Sequence, residues 1–417
     1  MTSLLNQGSN SVQTPEYLGT YGDLSIPFLD TSYSLYLFID RLYKAAIKDG
    51  VVDLCFFARE GQPLKQMFDS YQACQDNSEA IRTHYLKVSR RSTFLMSLGP
   101  LGEESFSVLF RQYRSISISD FLKSLDLNEY AKSLACALGV EEAAFAIISD
   151  DLPTAPLFLK LCQHELFCQI YEGQRVARSI AFESYLKGLL GTNDLSHELH
   201  VVDVGWKGSI QDNLYHWLRG MHGDGAKIQG YYLGLVATGS ISFQNCKKGL
   251  LFSNVDGITP GFHIFNENRS LFEIILHADH GSACRYVLDA QGRSSVVEDE
   301  FHEGEMITEK VHAISQPIMD LFQKIVVATV RESPPERKLL ETTLKRHYRM
   351  VYHPTKAEIE WVSSVSHVEN FGVFEESKFG NFEIPPNLWS KVRFTWRLVR
   401  RSRPSELGNW PWLTIRK

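Results

Sequence analysis

Residues 198–219 read Glu-Leu-His-Val-Val-Asp-Val-Gly-Trp-Lys-Gly-Ser-Ile-Gln-Asp-Asn-Leu-Tyr-His-Trp-Leu-Arg. The apolar, β-branched run that ends at Asp203 predicts a buried strand. A helical face follows, and it is formed by Ile210, Leu214, Trp217 and Leu218. The short turn between strand and helix contains Gly205, Lys207, Gly208 and Ser209. A strand, a glycine-bearing turn and a helix N-terminus in this order are typical of an α/β sheet.

This turn has the features of an anion-binding site. The free N–H groups and the dipole of a helix N-terminus attract negative charge, and glycines let a phosphate approach the backbone. Ser209 can both cap the helix and donate a hydrogen bond to a phosphate. Asp203 is predicted at the carboxyl end of its strand, where ligands of open α/β sheets bind. An ordinary βα turn with structural glycines fits the local sequence equally well.

A second strand–turn–helix unit lies nearer the N-terminus. Residues 51–58, Val-Val-Asp-Leu-Cys-Phe-Phe-Ala, predict an apolar strand, and Arg59-Glu60-Gly61-Gln62-Pro63 is the turn. Pro63 lies near the first helical position, where its missing N–H costs nothing. A guanidinium pairs two oxygens at once, so Arg59 at a strand end suits a diphosphate.

A third strand, predicted at 83–88, leads into Ser89-Arg90-Arg91-Ser92. Basic and hydroxyl groups at several strand ends suggest a polyanionic ligand, although Arg90 and Arg91 taken singly also fit a solvated turn. Further strands are predicted at 199–203, 228–236 and 249–252. Their alternation with helices predicts an α/β fold with a mostly parallel sheet.

These motifs resemble those of a known enzyme class. Ala58-Arg59-Glu60-Gly61 resembles the pyrophosphate loop of type I phosphoribosyltransferases, and Asp203–Ser209 resembles a shortened ribose-5-phosphate loop. Over about residues 15–290 the arrangement is more similar to proteins of bacterial polysaccharide clusters. Many of these are labelled haloacid dehalogenase-superfamily proteins, and a subset, the glycan phosphoribosyltransferases, builds ribofuranose into O-antigens and capsules. Type I enzymes usually carry two adjacent acids at this strand end, whereas here Val202 precedes Asp203.

The resemblance implies a sheet of phosphoribosyltransferase type and a donor, phosphoribosyl diphosphate (PRPP), bound with Mg²⁺. Substrate oxygens and water would hold most of the Mg²⁺ coordination sphere, with Glu60 and Asp203 as candidate protein contacts. The expected donor-binding residues are Arg59, Glu60, Gly61, Ser89, Arg90, Arg91, Asp203, Gly205, Trp206, Lys207, Gly208 and Ser209. Asp203 is also the expected acceptor for the ribose diol.

The acceptor implied by the resemblance is a sugar hydroxyl of a lipid-linked or oligosaccharide intermediate. A hydroxyl is a weak nucleophile, so a general base would assist its attack on the anomeric carbon. Glu273, on a helix predicted at 268–278, and His280, just after it, are the candidate bases alongside Asp203 as a catalytic residue. The alternatives are that Glu273 is a cap or ion-pair partner and that His280 is a turn residue.

A transferred 5-phosphoribosyl group keeps a phosphate that mature ribofuranose lacks. Relatives remove it with a phosphatase domain whose nucleophile lies in Asp-x-Asp-x-(Thr/Val). The nearest match here is Asn254-Val255-Asp256-Gly257-Ile258-Thr259, in which Asn254 occupies the nucleophile position. Because an amide cannot form an aspartyl phosphate, we expect a separate phosphatase to act on the product.

Composition narrows the class of protein. A net charge of −6 gives no general electrostatic footprint for nucleic acid, so no nucleic-acid partner is expected. The seven cysteines are scattered without a Cys-x-x-Cys pair, which favours reduced thiols in a cytoplasm. We find no signal peptide and no apolar run of membrane-spanning length. The expected location is therefore cytoplasmic. A further expectation is that the chain contacts the inner face of the cytoplasmic membrane as a peripheral protein.

Three regions are expected along the 417 residues. Residues 1–13 are polar and predict a leader, and residues 14–295 predict the α/β core with a helical insertion at about 92–190 that covers the site. Residues 296–417 predict a helical C-terminal region with a basic, tryptophan-rich tail at 385–417. Arginine with tryptophan suits an anionic membrane face or a glycan. A helix that packs its tryptophans on the core is equally compatible.

Other functions share some of these features. A nucleobase phosphoribosyltransferase would use the same donor, but a flat base does not require so large a helical insertion. A nucleotide-sugar glycosyltransferase lacks support because no Asp-x-Asp metal motif is present. An actin-like ATPase also uses Asp-x-Gly, but in a hairpin and not before a helix. The non-enzymatic alternative is a polysaccharide-assembly protein with vestigial phosphate loops.

Overall fold

The computed structural model describes residues 25–75, 80–111, 113–237, 239–255, 257–301 and 304–365. The predicted leader at 1–13 and the basic tail at 385–417 lie outside these described residues. So does Asp256 of the phosphatase-like segment. Among the described helices, none combines the length and the apolar composition that crossing a membrane requires.

One all-parallel sheet forms the centre of the fold. Its strands are β1 (Asp53–Phe57), β2 (Arg82–Leu86), β3 (Glu198–Trp206), β4 (Lys227–Leu235) and β5 (Asn245–Ser253). They lie in the order β2-β1-β3-β4-β5 and are parallel throughout. The predicted α/β fold with a mostly parallel sheet is confirmed.

Helices connect and cover the strands. In chain order they are α1 (Thr31–Lys48), α2 (Gly61–Gln72), α3 (Arg90–Ser97), α4 (Ser107–Phe110), α5 (Ile118–Ser124), α6 (Ala131–Ala137), α7 (Pro156–Gln163), α8 (Glu165–Leu190), α9 (Ser209–His222), α10 (Phe262–Glu267), α11 (Ser270–Ile275), α12 (Gly304–Met306), α13 (His312–Glu332), α14 (Glu336–Tyr352) and α15 (Lys356–Ser364). A π-helical segment, Ile307–Val311, joins α12 to α13.

Both faces of the sheet are buried, as the apolar sequence of β1 requires. Leu54 and Phe56 of β1 point into a core shared with α1 and α2. Cys55 and Phe57 point into the opposite core, which contains α8 and α9. Successive side chains of a strand alternate between faces, so a strand that is apolar at every position must be covered on both sides.

The segment between β2 and β3 forms a further hydrophobic core of its own. Phe121 lies at its centre, with ring centroids 4.9 Å from Phe106 and 4.8 Å from Phe158. The long helix α8 takes part in this core near its start and joins the sheet core near its end, where Phe182 packs on Trp217 at 4.7 Å. That this segment covers the site remains a prediction.

An antiparallel hairpin, β6 (Ala283–Leu288) with β7 (Ser294–Glu298), follows α11. The sequence patterns above predict no strands here, because the apolar residues of this segment do not alternate cleanly. The helix predicted at 268–278 is also wrong in its bounds, since α10 and α11 are two short helices separated at Asn268. The Asn268 side chain is buried and contacts His347, which fixes the break between the two helices.

The C-terminal helices pack on α1 through a buried charge network. Asp30 accepts from Arg346 at 2.7 Å and from Arg349 at 3.1 Å, and Arg349 also pairs with Glu358 at 2.7 Å. Each carboxylate is buried and satisfied by a guanidinium, which is the condition under which buried charges are tolerated. The chain on either side of the sheet-forming region is therefore joined into one layer.

His347 makes this layer sensitive to acid. The imidazole is fully buried between Ser34 Oγ at 3.0 Å and Asn268 Oδ1 at 2.8 Å. Burial, reinforced by the charge of Arg349, lowers the pKa of His347 from 6.5 to about 3. The unfolded chain therefore takes up a proton below its ordinary pKa, while the folded chain does not.

We expect stability to be complete above the unfolded pKa of 6.5 and to fall as the pH drops towards 3. His347→Gln should reduce the loss of unfolding free energy between about pH 7 and about pH 5 by about 2 kcal/mol. Denaturant titrations at the two pH values measure this difference. His263→Gln, at an exposed histidine, is the control and should leave the pH dependence as in the parent chain.

Candidate functional site

A crevice forms where the chain leaves β1 and β3. These strands pair through Cys55 with Val201 and Phe56 with Val202. From β1 the chain continues to β2 on one side, and from β3 it continues to β4 on the other side. The two connections diverge, and ligands of open α/β sheets bind at such a switch point. The turns after β1 and β3, both predicted as ligand loops, therefore lie side by side.

The turn after β1 is tightly packed against its own strand. A Cβ on Gly61 would lie 2.8 Å from the carbonyl carbon of Phe56, so only glycine fits. The carbonyl of Arg59 accepts a hydrogen bond from Tyr85 Oη at 3.3 Å. The backbone N–H of Arg59 donates to Glu60 Oε2 at 3.2 Å. The Ala58–Arg59 peptide is cis. The side chains of Arg59 and Glu60 are half-buried.

The last residues of β3 and the turn that follows them have an unusual backbone, and this segment is called the turn after β3. Gly205, Trp206 and Gly208 have φ values of +112°, +73° and +69°. A Cβ on Gly205 would lie 2.5 Å from the Gly234 carbonyl oxygen, so this position also requires glycine. Gly208 is the cap residue of α9, and Ser209 is its first helical residue. The predicted capping role of Ser209 is therefore wrong, because β3 continues to Trp206, three residues beyond its predicted end at Asp203, and Gly208 takes the cap position.

Trp206 anchors this turn. Its side chain is buried, and its indole N–H donates a hydrogen bond to Glu273 on α11. The Arg269 guanidinium lies over the ring at 5.7 Å, and the Phe252 ring is 5.7 Å away. A positive φ is rare for a bulky residue, so packing has to hold it in place. The carboxylate of Glu273, a predicted base, is thus bonded to the turn itself.

Asp203 lies in the crevice and has a pKa that its surroundings alter. Its carboxylate is half-buried and accepts N–H groups of Val204 and Gly205. Burial and then the neighbouring charge of Glu60 raise the pKa of Asp203 from 3.8 to about 7, although Arg90 opposes them. At neutral pH the carboxyl is therefore only partly ionised. A cation or a protonated partner in the crevice would stabilise the ionised form.

The end of β2 contributes residues of two kinds. Ser89 caps α3, since its Oγ accepts from Ser92 N at 3.0 Å and donates to the Ala283 carbonyl at 2.6 Å. Arg91 pairs with Asp299 just after the β6–β7 hairpin. Arg90 is exposed and acts electrostatically on Asp203. Of these predicted donor contacts, Arg90 is brought to the crevice, while Ser89 and Arg91 are held by structural partners.

His280 lies beside the turn after β1. Its Nε2 is 2.7 Å from Tyr85 Oη, and its Nδ1 is 2.8 Å from the Gly281 carbonyl and 3.4 Å from Glu298. Because Tyr85 also contacts the Arg59 carbonyl, the imidazole is linked to the predicted diphosphate loop. The exposed side chain of Lys207 lies on the neighbouring turn. A histidine between a carboxylate and a hydroxyl can accept and pass on a proton.

Sequence patterns missed Tyr85, Glu298 and Lys247. Tyr85 lies inside a predicted strand, and its hydroxyl meets His280 only through the fold. Glu298 lies in the region predicted as helical from residue 296, but it ends β7. Lys247 belongs to β5, and its buried ammonium pairs with Asp212 at 2.7 Å. Lys247 precedes the strand predicted at 249–252 and is followed by a second lysine, so no sequence signal distinguished it.

Glu60 and Asp203 are the carboxylates of the crevice that a metal ion would contact. Among the described residues, no group of three or more His, Cys, Asp or Glu side chains is arranged to hold a metal ion. Glu60 and Asp203 are nevertheless close enough for their charges to interact. Two carboxylates fit an Mg²⁺ that takes most of its ligands from a substrate diphosphate and water.

No protein-family model and no curated protein matches this chain. The resemblance to glycan phosphoribosyltransferases rests on the strand-end motifs alone. Any function assigned to the chain therefore has to follow from the geometry and charge of the crevice.

Ionised Asp203 should destabilise the empty protein. Since its folded pKa is raised from 3.8 to about 7, the stability that it contributes is present below pH 4 and is lost as the pH rises to 7. Asp203→Asn should raise the unfolding free energy by about 2 kcal/mol at about pH 8 and leave it nearly unchanged at about pH 4. Calorimetric melts at both pH values provide the measurement, with Asp224→Asn at an exposed carboxylate as control. A gain of equal size at both pH values would contradict the raised pKa.

The contact between Trp206 and Glu273 predicts different effects for two substitutions. Glu273→Gln keeps an acceptor for the indole N–H and should preserve stability and tryptophan emission. Glu273→Leu leaves a buried donor without an acceptor and should cost about 1–3 kcal/mol. Thermal melts and fluorescence spectra of the two variants distinguish them, and the same pair in a Trp206→Phe background removes the contribution of this indole. Equal stability of the two variants would mean that the hydrogen bond contributes nothing.

Proposed function

We propose that this chain transfers a 5-phosphoribosyl group from PRPP to a sugar hydroxyl of a bacterial cell-surface polysaccharide intermediate, with release of pyrophosphate. The observation that carries the proposal is the environment of Asp203. Its carboxyl lies at the switch point between an acidic neighbour, Glu60, and a basic neighbour, Arg90, beside a glycine turn at a helix N-terminus. This arrangement suits a ligand that carries both phosphates and a diol.

Each part of the donor has a matching element. Within the segment Gly205–Ser209, residues 206–209 offer backbone N–H groups to the 5-phosphate, while the Gly205 N–H donates to Asp203. Asp203 accepts hydrogen bonds from the ribose diol, without the second adjacent acid of type I enzymes. Arg59 and Arg90 bind the diphosphate, because guanidinium groups pair with phosphate oxygens. These roles divide the donor between the ends of β1, β2 and β3.

Mg²⁺ would be held by the diphosphate, by water and by Glu60 and Asp203, and it would neutralise charge on the departing pyrophosphate. Ionised Asp203 is unfavourable in the empty crevice. A bound Mg²⁺ would therefore favour ionised Asp203, which is the form that accepts hydrogen bonds from the diol.

The transfer forms one bond and breaks one. The bond from the anomeric carbon to the pyrophosphate oxygen breaks, and the ribosyl group gains oxocarbenium character that the Asp203 and Glu60 carboxylates stabilise. The acceptor oxygen bonds to the anomeric carbon from the opposite face, so an α donor gives a β-ribofuranoside. Its proton passes to His280, whose imidazole lies between Tyr85 and Glu298. Glu273 is the other candidate base, and its carboxylate accepts a hydrogen bond from the Trp206 indole.

The product keeps its 5-phosphate, and a separate phosphatase removes it. Asn254, at the nucleophile position of the phosphatase-like segment, donates its side-chain amide to the Val236 carbonyl at 3.1 Å. This amide supports the β4–β5 end of the sheet and offers no nucleophile. A lipid-linked acceptor would bring the chain to the inner face of the cytoplasmic membrane, with residues 385–417 as the expected contact.

Titration calorimetry with PRPP and Mg²⁺ tests the donor, with nucleotide sugars and ATP as competing ligands. Arg59→Ala should weaken PRPP binding by about 2–5 kcal/mol, since one charge-assisted contact to a buried diphosphate is lost. Asp203→Asn should lower pyrophosphate release roughly 100-fold. Arg219→Ala, at an exposed arginine paired with Asp224, is the matched control and should bind as the parent chain does.

Mass spectrometry of the glycan product completes this test. The expected mass increase corresponds to ribose with its phosphate. A product with ribose alone, made without a second enzyme, would remove the separate phosphatase from the proposal. Binding of a nucleotide sugar but not PRPP would favour a nucleotide-sugar glycosyltransferase, and binding of none of the ligands would favour a non-enzymatic assembly protein.

A further inference from the structure

A buried lysine lies beneath the turn that follows β3. The side chain of Lys247 on β5 has no exposed surface, and its Nζ is 2.7 Å from Asp212 Oδ1 on α9. The same Nζ donates to the Lys207 carbonyl at 3.3 Å. Burial lowers the pKa of Lys247, and the nearby Asp212 carboxylate opposes that effect. An isolated buried ammonium is costly, so the ion pair is what permits the charge to remain there.

Asp212 is bonded on both of its oxygens. Oδ1 also accepts from the Asn245 side chain at 2.7 Å, and Oδ2 accepts from Ser240 N at 3.4 Å. This carboxylate lies in the first turn of α9, close to the proposed phosphate position. Its negative charge would repel a phosphate if Lys247 did not balance it. The ion pair therefore preserves the positive potential of the helix N-terminus.

Lys247 also fixes the direction of a backbone N–H. In a trans peptide the carbonyl and the N–H point in opposite directions. Because the Lys207 carbonyl is drawn towards Lys247, the N–H of Gly208 is directed to the other side. The Trp206 carbonyl is also held, by backbone donors, since it accepts from Val236 N at 2.9 Å and Ala237 N at 3.1 Å, and this fixes the direction of the Lys207 N–H. Successive N–H groups turned to one side form a concave anion site.

The lysine side chain is packed closely against this turn. A Cβ on Gly208 would lie 2.9 Å from Lys247 Cε, and a Cβ on Gly239 would lie 3.1 Å from Nζ. The neighbouring Lys248 differs, because its ammonium is partly exposed and pairs with Asp49 at 2.6 Å. Adjacent lysines on one strand thus have separate environments, which provides a matched control.

We propose that Lys247 is a positioning residue that holds the Trp206–Ser209 turn in the form that binds a phosphomonoester, namely the 5-phosphate of the donor. The inference rests on the proposed function, since that function assigns the 5-phosphate to this turn. Lys247 does not touch the ligand; it acts through the Lys207 carbonyl and by balancing Asp212.

Calorimetry with ribose 5-phosphate and with inorganic pyrophosphate separates the two halves of the donor site. Lys247→Met should weaken ribose 5-phosphate binding roughly 10-fold or more and should change pyrophosphate binding less than about 2-fold. Arg59→Ala should give the opposite pattern, because Arg59 belongs to the other turn. Lys248→Met should leave both affinities as in the parent chain. In PRPP turnover, Lys247→Met should raise KM much more than it lowers kcat.

If Lys247→Met does not fold, Lys247→Met with Asp212→Asn replaces the ion pair by a neutral pair. A smaller but still selective loss of ribose 5-phosphate affinity is then expected, because the contact to the Lys207 carbonyl is lost while the charge of Asp212 is also removed. Parental ribose 5-phosphate affinity in a folded Lys247 variant would overturn the inference, as would equal losses for both ligands. If the parent chain binds ribose 5-phosphate but transfers nothing, the proposed function fails while the titration still tests Lys247. If the parent chain binds neither ligand, both proposals fail.

Discussion

The parallel pairing of β1 with β3 is short, but the crevice depends on it. Only Cys55–Val201 and Phe56–Val202 are in register, and this contact sets the turn Arg59-Glu60-Gly61 beside Asp203. The connections from these strands leave in opposite directions, so the space above their carboxyl ends stays open. Charge interaction between Glu60 and Asp203 then follows from position alone. A different strand order would have separated these carboxylates and removed the contribution of Glu60 to the raised pKa of Asp203, which adds to that of burial.

Several residues at this edge of the sheet are in environments that lower the free energy of unfolding. Asp203 resists ionisation, Trp206 has a positive φ, and Lys247 is a buried cation. Each is held by specific contacts, such as the hydrogen bond from Trp206 to Glu273 and the ion pair between Lys247 and Asp212. Strained or poorly solvated groups persist where the surrounding structure over-determines them, and they cluster at functional sites. This concentration is an argument for a ligand site that does not depend on the resemblance.

The C-terminal helices support the crevice from a distance. His347 on α14 contacts Asn268 at the break between α10 and α11. The next residue, Arg269, lies over the Trp206 ring, and α11 supplies Glu273 to the indole. A chain of contacts therefore links α14 to the turn after β3. The resemblance ends near residue 290, yet α14 lies beyond it and contacts the segment that holds the turn.

The sequence by itself determined the elements and their chemistry. Period, turn residues and composition are local properties, and they predicted the five strands of the parallel sheet and the glycine turns. They placed the end of β3 too early, at Asp203 instead of Trp206, and they did not predict β6 and β7. They could not predict which strand pairs with which, because pairing joins residues far apart in the chain. Tertiary structure alone decided that Arg91 meets Asp299, that Glu273 binds Trp206 and that Lys247 lies under the turn. It also decided the state of Asp203, since burial and a neighbouring charge set a pKa, and neither exists before the chain folds.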